Sequence, residues 1–349
     1  MHVVVTGASG NVGTALLRAL GSEPSVVSVL GIARREATLD LPKVAWAAAD
    51  VAVDELDAHV AGADAVVHLA WLFQPTHRPD ITWQANVIGT QRVLDATARA
   101  GVRTLVVASS VGAYSPRHED TRVDERWPTH GGGPAAYARE KAYVERLLDG
   151  FEGAAPQCRV VRMRPAFIFQ ESSATEQRRL FGGPLVPGSM IRKRLLPIIP
   201  WPRGLRFQAL HSDDAADAYR RALVTDVRGA FNLAAEPVLD AREVSALLDA
   251  RTIEVPPRLV RRGLGLAWSA HLVPPAPDLF DVVMQLPLMD SSRARTELGW
   301  TPRATSRDAL AAVLRGLRRG SDDDTPPLAG ETSGTLRTHE VGTGVGARP

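Results

Sequence analysis

The sequence predicts an α/β protein: a doubly wound parallel sheet carrying a smaller, mostly C-terminal lobe. Three observations lead there. The first 165 residues alternate short β-branched runs with helical stretches. A glycine-rich turn joins the first strand to the first helix. The 349 residues exceed one ordinary domain and fall short of three. Short apolar strands separated by helices read as βαβ units, whose crossovers make neighbouring strands run parallel.

The elements follow in order. His2 to Thr6 is a strand and Val12 to Leu20 a helix. Val26 to Ala33 and Val44 to Ala49 are strands, and Ala65 to Ala70 is a buried one. Asn86 to Ala100 is helical and stops at Gly101, because glycine supplies the left-handed residue that ends helices. Arg103 to Ser109 is the next strand. Gly131-Gly132-Gly133-Pro134 breaks the chain ahead of a helix from Ala135 to Asp149, and Arg159 to Arg164 is a strand ended by Pro165. Residues 166–204, rich in Gly, Pro and Arg, predict an irregular insertion. Asp213 to Leu223 is a helix, Ala230 to Leu233 a strand, and 240–319 mixed and mostly helical. Residues 320–349 are polar, Gly/Pro-rich and nearly devoid of large apolar side chains, which predicts a disordered tail.

Composition excludes several classes. Hydrophobic content of 45% and charged content of 23% are those of a globular protein, not of a disordered chain or a collagen. Lys and Arg number 41 against 39 Asp and Glu, a balance that argues against nucleic acid or an anionic membrane as partner. Cys158 stands alone, so no intrachain disulfide forms, which fits a reducing cytosol. No targeting segment or membrane-length apolar run is present, so a soluble, cytoplasmic protein is expected.

The turn Gly7-Ala8-Ser9-Gly10-Asn11-Val12-Gly13 follows a strand and opens a helix. A tight turn, a close backbone approach to a pyrophosphate and close helix–sheet packing each exclude a Cβ, and the helix start offers free N–H groups to phosphates. This is the phosphate-binding turn of a Rossmann-type sheet. It makes 1–165 a dinucleotide-binding domain, rejoined by 205–235, and leaves 166–204 and 236–319 as a substrate lobe. An NAD site expects a carboxylate about 20 residues on. Ala33, Arg34 and Arg35 stand there instead, and arginine pairs with a 2′-phosphate, so NADP(H) is preferred and NAD(H) stays open.

Tyr137 and Lys141 share one helix face with Val144 and Leu148, so both point inward. An ammonium near a phenol stabilises its anion and lowers a pKa that starts near 10. Such a tyrosine exchanges protons with a hydroxyl or carbonyl. The chain has only three lysines, Lys43, Lys141 and Lys193, so a lysine here is selective. Ser109-Ser110 end a buried strand, where ligands bind in open α/β sheets.

GASGNVG, SSVGAY and YAREK occur in this order. Together they resemble the extended branch of the short-chain dehydrogenase/reductase superfamily, the NAD-dependent epimerase/dehydratase family, over about residues 1–315. Further segments are similar: Asp50-Val51, His68-Leu69-Ala70, the run Asn86 to Thr90, Arg164-Pro165, the run His211 to Ala216, and Asp290 to Pro302. The resemblance implies that Ser110 orients substrate, that Tyr137 is the acid/base, and that Lys141 holds the nicotinamide ribose and tunes Tyr137. It also implies cofactor contacts at the glycine turn, Asp50, Val51, Leu69, Ala70, Asn86, Ser109 and Pro165, and a homodimer through two helices of the nucleotide domain.

Two departures narrow the chemistry. The family's sugar dehydratases carry Asp-Glu after the catalytic hydroxyl, whereas Val111-Gly112 follow Ser110 here. Members acting on nucleotide sugars often carry an arginine four residues before the histidine at 211, where this chain has Phe207. Arg206 is one step off and faces the other way along a strand, although Arg192 or Arg194 could take that role. Trp71, Leu72 and Phe73 with Phe167, Phe169 and Phe207 suggest a small-molecule substrate with an apolar body. Three readings stay open: an oxidoreductase acting on a carbonyl and a secondary alcohol, a nucleotide-sugar epimerase, and a non-catalytic dinucleotide sensor.

Overall fold

Seven parallel strands form the centre of the computed structural model, which describes residues 1–74, 76–117, 119–182 and 198–329. The chain opens with β1 (His2–Thr6), α1 (Asn11–Gly21), β2 (Ser28–Ala33), β3 (Val44–Ala48), α2 (Asp57–Val60) and β4 (Ala65–His68). Next come α3 (Pro79–Trp83), a π-helical turn at Gln84–Ile88, α4 (Gly89–Arg99), β5 (Thr104–Ala108), a 3-10 turn at Val111–Ala113, α5 (Ala136–Ala154) and β6 (Arg159–Pro165). The second half holds β7 (Phe167–Phe169), α6 (Ala174–Gln177), a π turn at Arg178–Gly182, β8 (Ile198–Pro202), β9 (Ala209–His211), α7 (Ser212–Val224) and β10 (Gly229–Leu233). It ends with α8 (Ala241–Leu248), β11 (Arg251–Val255), α9 (Pro257–Ser269), α10 (Pro277–Val283), α11 (Ser292–Glu297) and α12 (Ser306–Arg319).

The strand order is β3-β2-β1-β4-β5-β6-β10, parallel throughout. The direction of winding reverses between β1 and β4, which opens a crevice at their C-terminal ends. Thr6 pairs with both Ile32 and His68, so three strands finish level and their loops meet at one edge. Val3–Val5 of β1, Ala65–Val67 of β4 and Leu105–Ala108 of β5 are unbroken apolar runs, as covered sheet faces require. Leu16, Leu17 and Leu20 of α1 pack with Ala218, Tyr219 and Ala222 of α7 on one face. Val93 and Leu94 of α4 pack with Val144 and Leu148 of α5 on the other.

The C-terminal Trp-Thr-Pro segment docks on α7. The buried Trp300 indole donates to the Asp214 carbonyl at 2.9 Å, and the Asp214 carboxylate accepts the backbone N–H of Arg303 at 2.8 Å and of Ala304 at 2.9 Å.

Two sequence expectations are corrected. Part of the 166–204 insertion is regular: β7 pairs with β9, and β8 with β11, because hydrogen bonding to distant strands organises what local composition leaves irregular. Residues 183–197 lie outside the described residues. The tail is not disordered from its start. Residues 321–329 pack on the body with Thr325 and Leu328 fully buried, since polar anchors hold a stretch that has almost no apolar side chains. Residues 330–349 lie outside the described residues. Among the described residues, no helix is long and apolar enough to cross a membrane.

Replacing Asp214 with Ala leaves two part-buried N–H groups without their carboxylate partner. Stability should fall by about 2 kcal/mol, read as an earlier midpoint in urea with an unchanged slope.

Candidate active site

Two glycines shape the crevice. Gly7 has φ +69°, and a Cβ there would lie 2.5 Å from the Ala70 nitrogen, so the loops after β1 and β4 touch. A Cβ on Gly13 would lie 2.4 Å from the Ala8 carbonyl oxygen, which locks α1 against the turn. No side chain caps the start of α1, and no acidic residue stands in its first turn. Unpaired N–H groups and the positive helix end therefore face the crevice. A cradle without Cβ atoms, ending in free N–H groups, fits the pyrophosphate of a dinucleotide.

A cavity of about 810 Å³ runs from this turn into the lobe. Ser110, Tyr137, Lys141, the cofactor residues proposed from the sequence and the six apolar residues proposed for substrate all line it. Arg34 and Arg35 stand exposed at its rim, and Asp50, Val51, Leu69, Ala70 and Pro165 form its walls. Three other candidates spend their polar atoms on the protein. Asn11 donates to the Ile168 carbonyl at 3.1 Å and accepts from Ser212 at 2.6 Å. Asn86 bonds the Leu72 backbone in both directions and donates to Glu140 at 2.7 Å, which fixes the loop after β4. Ser109 donates to Glu145 at 2.6 Å. Arg192 and Arg194 lie outside the described residues.

Ser110, Tyr137 and Lys141 come together as their spacing requires. The Tyr137 hydroxyl donates to Ser110 Oγ at 2.8 Å, and the Gly112 N–H donates to the same oxygen at 2.9 Å. The sequence marks Gly112 only as a residue without a group to eliminate water. A Cβ there would meet the Tyr137 ring at 2.6 Å, so the glycine of SSVGAY makes room for the tyrosine. Phe73 stacks on Tyr137 with ring centroids 5.0 Å apart. The Lys141 ammonium donates to the Ala108 carbonyl at 2.7 Å and lies 3.4 Å from the centroid of the Trp71 ring. The Trp71 indole N–H is buried without a partner among the described residues.

One electrostatic expectation is corrected. Burial pushes the Tyr137 phenol up to about 12, opposed by its hydrogen bond with Ser110. Lys141 does not offset this, because its ammonium is turned to Ala108 and Trp71. Burial also brings Lys141 down to about 7, against the upward pull of Glu140 and Glu145.

Glu145, two turns after Tyr137, went unnoticed in the sequence. Its fully buried carboxylate takes Arg164 at 2.8 Å, Arg162 at 3.0 Å and the Ser109 hydroxyl. Burial alone would raise its pKa, but the hydrogen bonds and charge of Arg164, with Ser109 and Arg162, hold it well below the usual carboxylate range. The available signal was a glutamate at i+4 from Lys141 on an otherwise apolar stripe.

The far end of the cavity is apolar. Phe167 and Phe207 meet edge to face at 5.3 Å, and Leu264, Phe280 and Leu286 close the lobe side. Arg206 points away, donating to the Glu119 carbonyl at 2.8 Å and pairing with Asp120.

Comparison with known proteins adds four findings. A family model described as the NAD dependent epimerase/dehydratase family matches residues 3–234. An uncharacterized protein of Mycobacterium tuberculosis is 27% identical over 321 residues, covering 91% of this chain, and the chain spans 30% of that relative's length. The decarboxylating sterol-4-alpha-carboxylate 3-dehydrogenase of Saccharomyces cerevisiae is 35% identical over 109 residues, 31% of this chain and 30% of the enzyme. Among solved structures, UDP-glucose-4-epimerase from Stenotrophomonas maltophila with bound NAD superposes with a TM-score of 0.69 at 20% identity, covering 92% of this chain and 99% of that one. At that identity the likeness concerns the fold.

Glu145→Gln leaves Arg164 buried without its counter-charge, and should cost about 3 kcal/mol in chemical denaturation. Lys141 makes a pH-dependent contribution. Between pH 7 and 10.5 the unfolded chain holds the lysine proton and the folded protein does not, so stability from this group rises with pH across that window. Below pH 7 both states hold the proton and the slope vanishes. Lys141→Met should remove that rise, read as melting temperature against pH for the two proteins.

Proposed function

This chain belongs to the NAD dependent epimerase/dehydratase family, and on that premise we propose that it interconverts a ketone and a secondary alcohol on a metabolite with an apolar body, using NADP(H) in preference to NAD(H). The observation that carries the reading is a tyrosine hydroxyl bonded to a serine at the junction of a dinucleotide-type crevice and an apolar chamber.

When bound, the nicotinamide would supply or accept the hydride. Gly7, Gly10 and Gly13 with the start of α1 would hold the pyrophosphate, and Val51, Ala70 and Lys141 lie along the same cavity. Ser110 Oγ already accepts from Tyr137 and Gly112, so its own proton is free for a substrate oxygen. Tyr137 is the proton donor in reduction and the acceptor in oxidation. Phe73 stacks on its ring and keeps water from that flank. The pKa of Lys141, near neutrality, lets it release and regain a proton at working pH.

The apolar chamber supports a hydrophobic substrate, and Val111 and Gly112 offer no group for eliminating water. Arg206 is engaged elsewhere, which counts against a pyrophosphate-bearing substrate. The sterol dehydrogenase among the relatives is named for an apolar substrate class. Arg34 and Arg35 are exposed at the rim with no hydrogen bond or ion pair among the described residues, and so are open to a 2′-phosphate. The fold likeness to an NAD-bound epimerase keeps the nucleotide-sugar reading as the alternative outcome of the test.

Calorimetric titration should give NADPH roughly tenfold to hundredfold tighter binding than NADH. Ala33→Asp combined with Arg34→Ala should reverse the order. With NADPH and a panel of apolar ketones, Tyr137→Phe should lose about 10²- to 10⁴-fold in turnover while binding the dinucleotide normally. Purified protein that retains NAD and shows no net redox turnover would overturn the oxidoreductase reading in favour of the epimerase.

A further inference from the structure

We propose that residues 321–329 form a strap that closes one wall of the dinucleotide cavity and retains the bound dinucleotide. The inference rests on the reading that this cavity takes a nicotinamide dinucleotide.

The strap begins where α12 is fixed. A Cβ on Gly316 would lie 2.1 Å from the Glu171 carbonyl oxygen, so the end of the helix sits directly on the chain before α6. Gly320, at φ +69°, turns the chain back, and Thr175 donates to the Ser321 carbonyl at 3.1 Å. From there the contacts fall on elements that also carry cavity-lining residues, and one of them on the lining residue Ser9 itself. Asp323 pairs with Arg18 of α1 at 2.7 Å. Thr38, in the loop after β2, donates to the Asp324 carbonyl at 3.4 Å. Thr325 is fully buried and donates to the carbonyl of Ser9, inside the glycine turn, at 2.8 Å. The Thr325 carbonyl accepts the N–H of Leu328 at 2.9 Å and of Ala329 at 2.8 Å, closing a tight turn. Arg179 of the second π turn reaches the Pro327 carbonyl.

The turn so held carries Pro326 and Pro327, and both line the cavity. Two prolines offer a stiff, apolar surface with no N–H to satisfy. The anchors lie on α1, the glycine turn, the loop after β2 and the second π turn, which are themselves walls of the dinucleotide site. A long ligand seated in the crevice would therefore meet Pro326 and Pro327 as part of its wall. Such a wall acts on escape more than on encounter, so its loss shows in the dissociation rate.

The test measures dissociation of NADPH by fluorescence after rapid mixing with excess NADP⁺, in four proteins. They are the full chain, the chain ended after Ala329, the chain ended after Gly320, and Thr325→Val in the full chain. The full chain and the chain ended after Ala329 should agree. The chain ended after Gly320 should release NADPH about tenfold faster, and Thr325→Val about threefold faster through loss of one buried hydrogen bond. If the shorter chain does not fold, Thr325→Val and proteolysis decide. NADPH should slow cleavage of the full chain at Asp322 to Asp324 by an Asp/Glu-specific protease. Unchanged release in folded variants, unchanged cleavage, or tighter binding without the strap would overturn the proposal; the last would mean that the segment obstructs the cavity. If the full chain binds neither NADPH nor NADH, the functional reading falls and the strap with it. If it binds and truncation changes nothing, the strap alone falls.

Discussion

The Glu145 carboxylate is the fixed point of the helix that carries Tyr137 and Lys141. It has no exposed surface, and a carboxylate cannot stay charged there without counter-charges. Arg164 and Arg162, both on β6, supply them, and Ser109 at the end of β5 adds a hydrogen bond. Arg164 extends the net to Tyr114 at 3.0 Å, and Tyr114 donates to Asn232 on β10 at 2.7 Å. β6 and the end of β5 are thus pinned to this side chain directly, and β10 through Arg164 and Tyr114. The rotation of Glu145 about the α5 axis fixes that of Lys141 one turn earlier and Tyr137 two turns earlier. A helix that slid or rolled would break ion pairs before it moved the tyrosine.

The same helix carries a second buried acid with a different task. Glu140 accepts from Thr82 and Asn86 at 2.7 Å each, and Asn86 holds the Leu72 backbone. Leu72 lies between Trp71, over the lysine, and Phe73, against the tyrosine. One buried carboxylate therefore positions α5 against the sheet, and the other positions the aromatic loop against α5. The far end of the cavity is lined by Phe167, Phe207, Leu264, Phe280 and Leu286, while the side chains of Asn86 and Ser109 turn their polar atoms to the protein.

Much of this was legible in the sequence for a physical reason. Parallel strands buried on both faces must be continuous apolar runs, a phosphate turn must lack Cβ atoms, and a tyrosine and lysine four apart must share a helix face. Each of those signals is local. What stayed hidden depends on partners far along the chain. Nothing near Glu145 announces the arginines of β6, and nothing near Gly112 announces the ring of Tyr137. The resemblance places Asn11, Asn86 and Ser109 at the cofactor, and the fold adds that their side chains bond the protein. The strap was read as disorder because composition registers apolar side chains, and Thr325 and Asp323 anchor it by polar contacts instead.

The contact between Gly7 and Ala70 has a consequence for how such a protein can change over time. Not even a methyl group fits between the two loops, so the floor of the crevice admits no variation in either backbone. The rim, where Arg34 and Arg35 stand in solvent, carries no such constraint. Residue type can therefore change at the rim at little cost to stability, whereas the floor tolerates no side chain at Gly7.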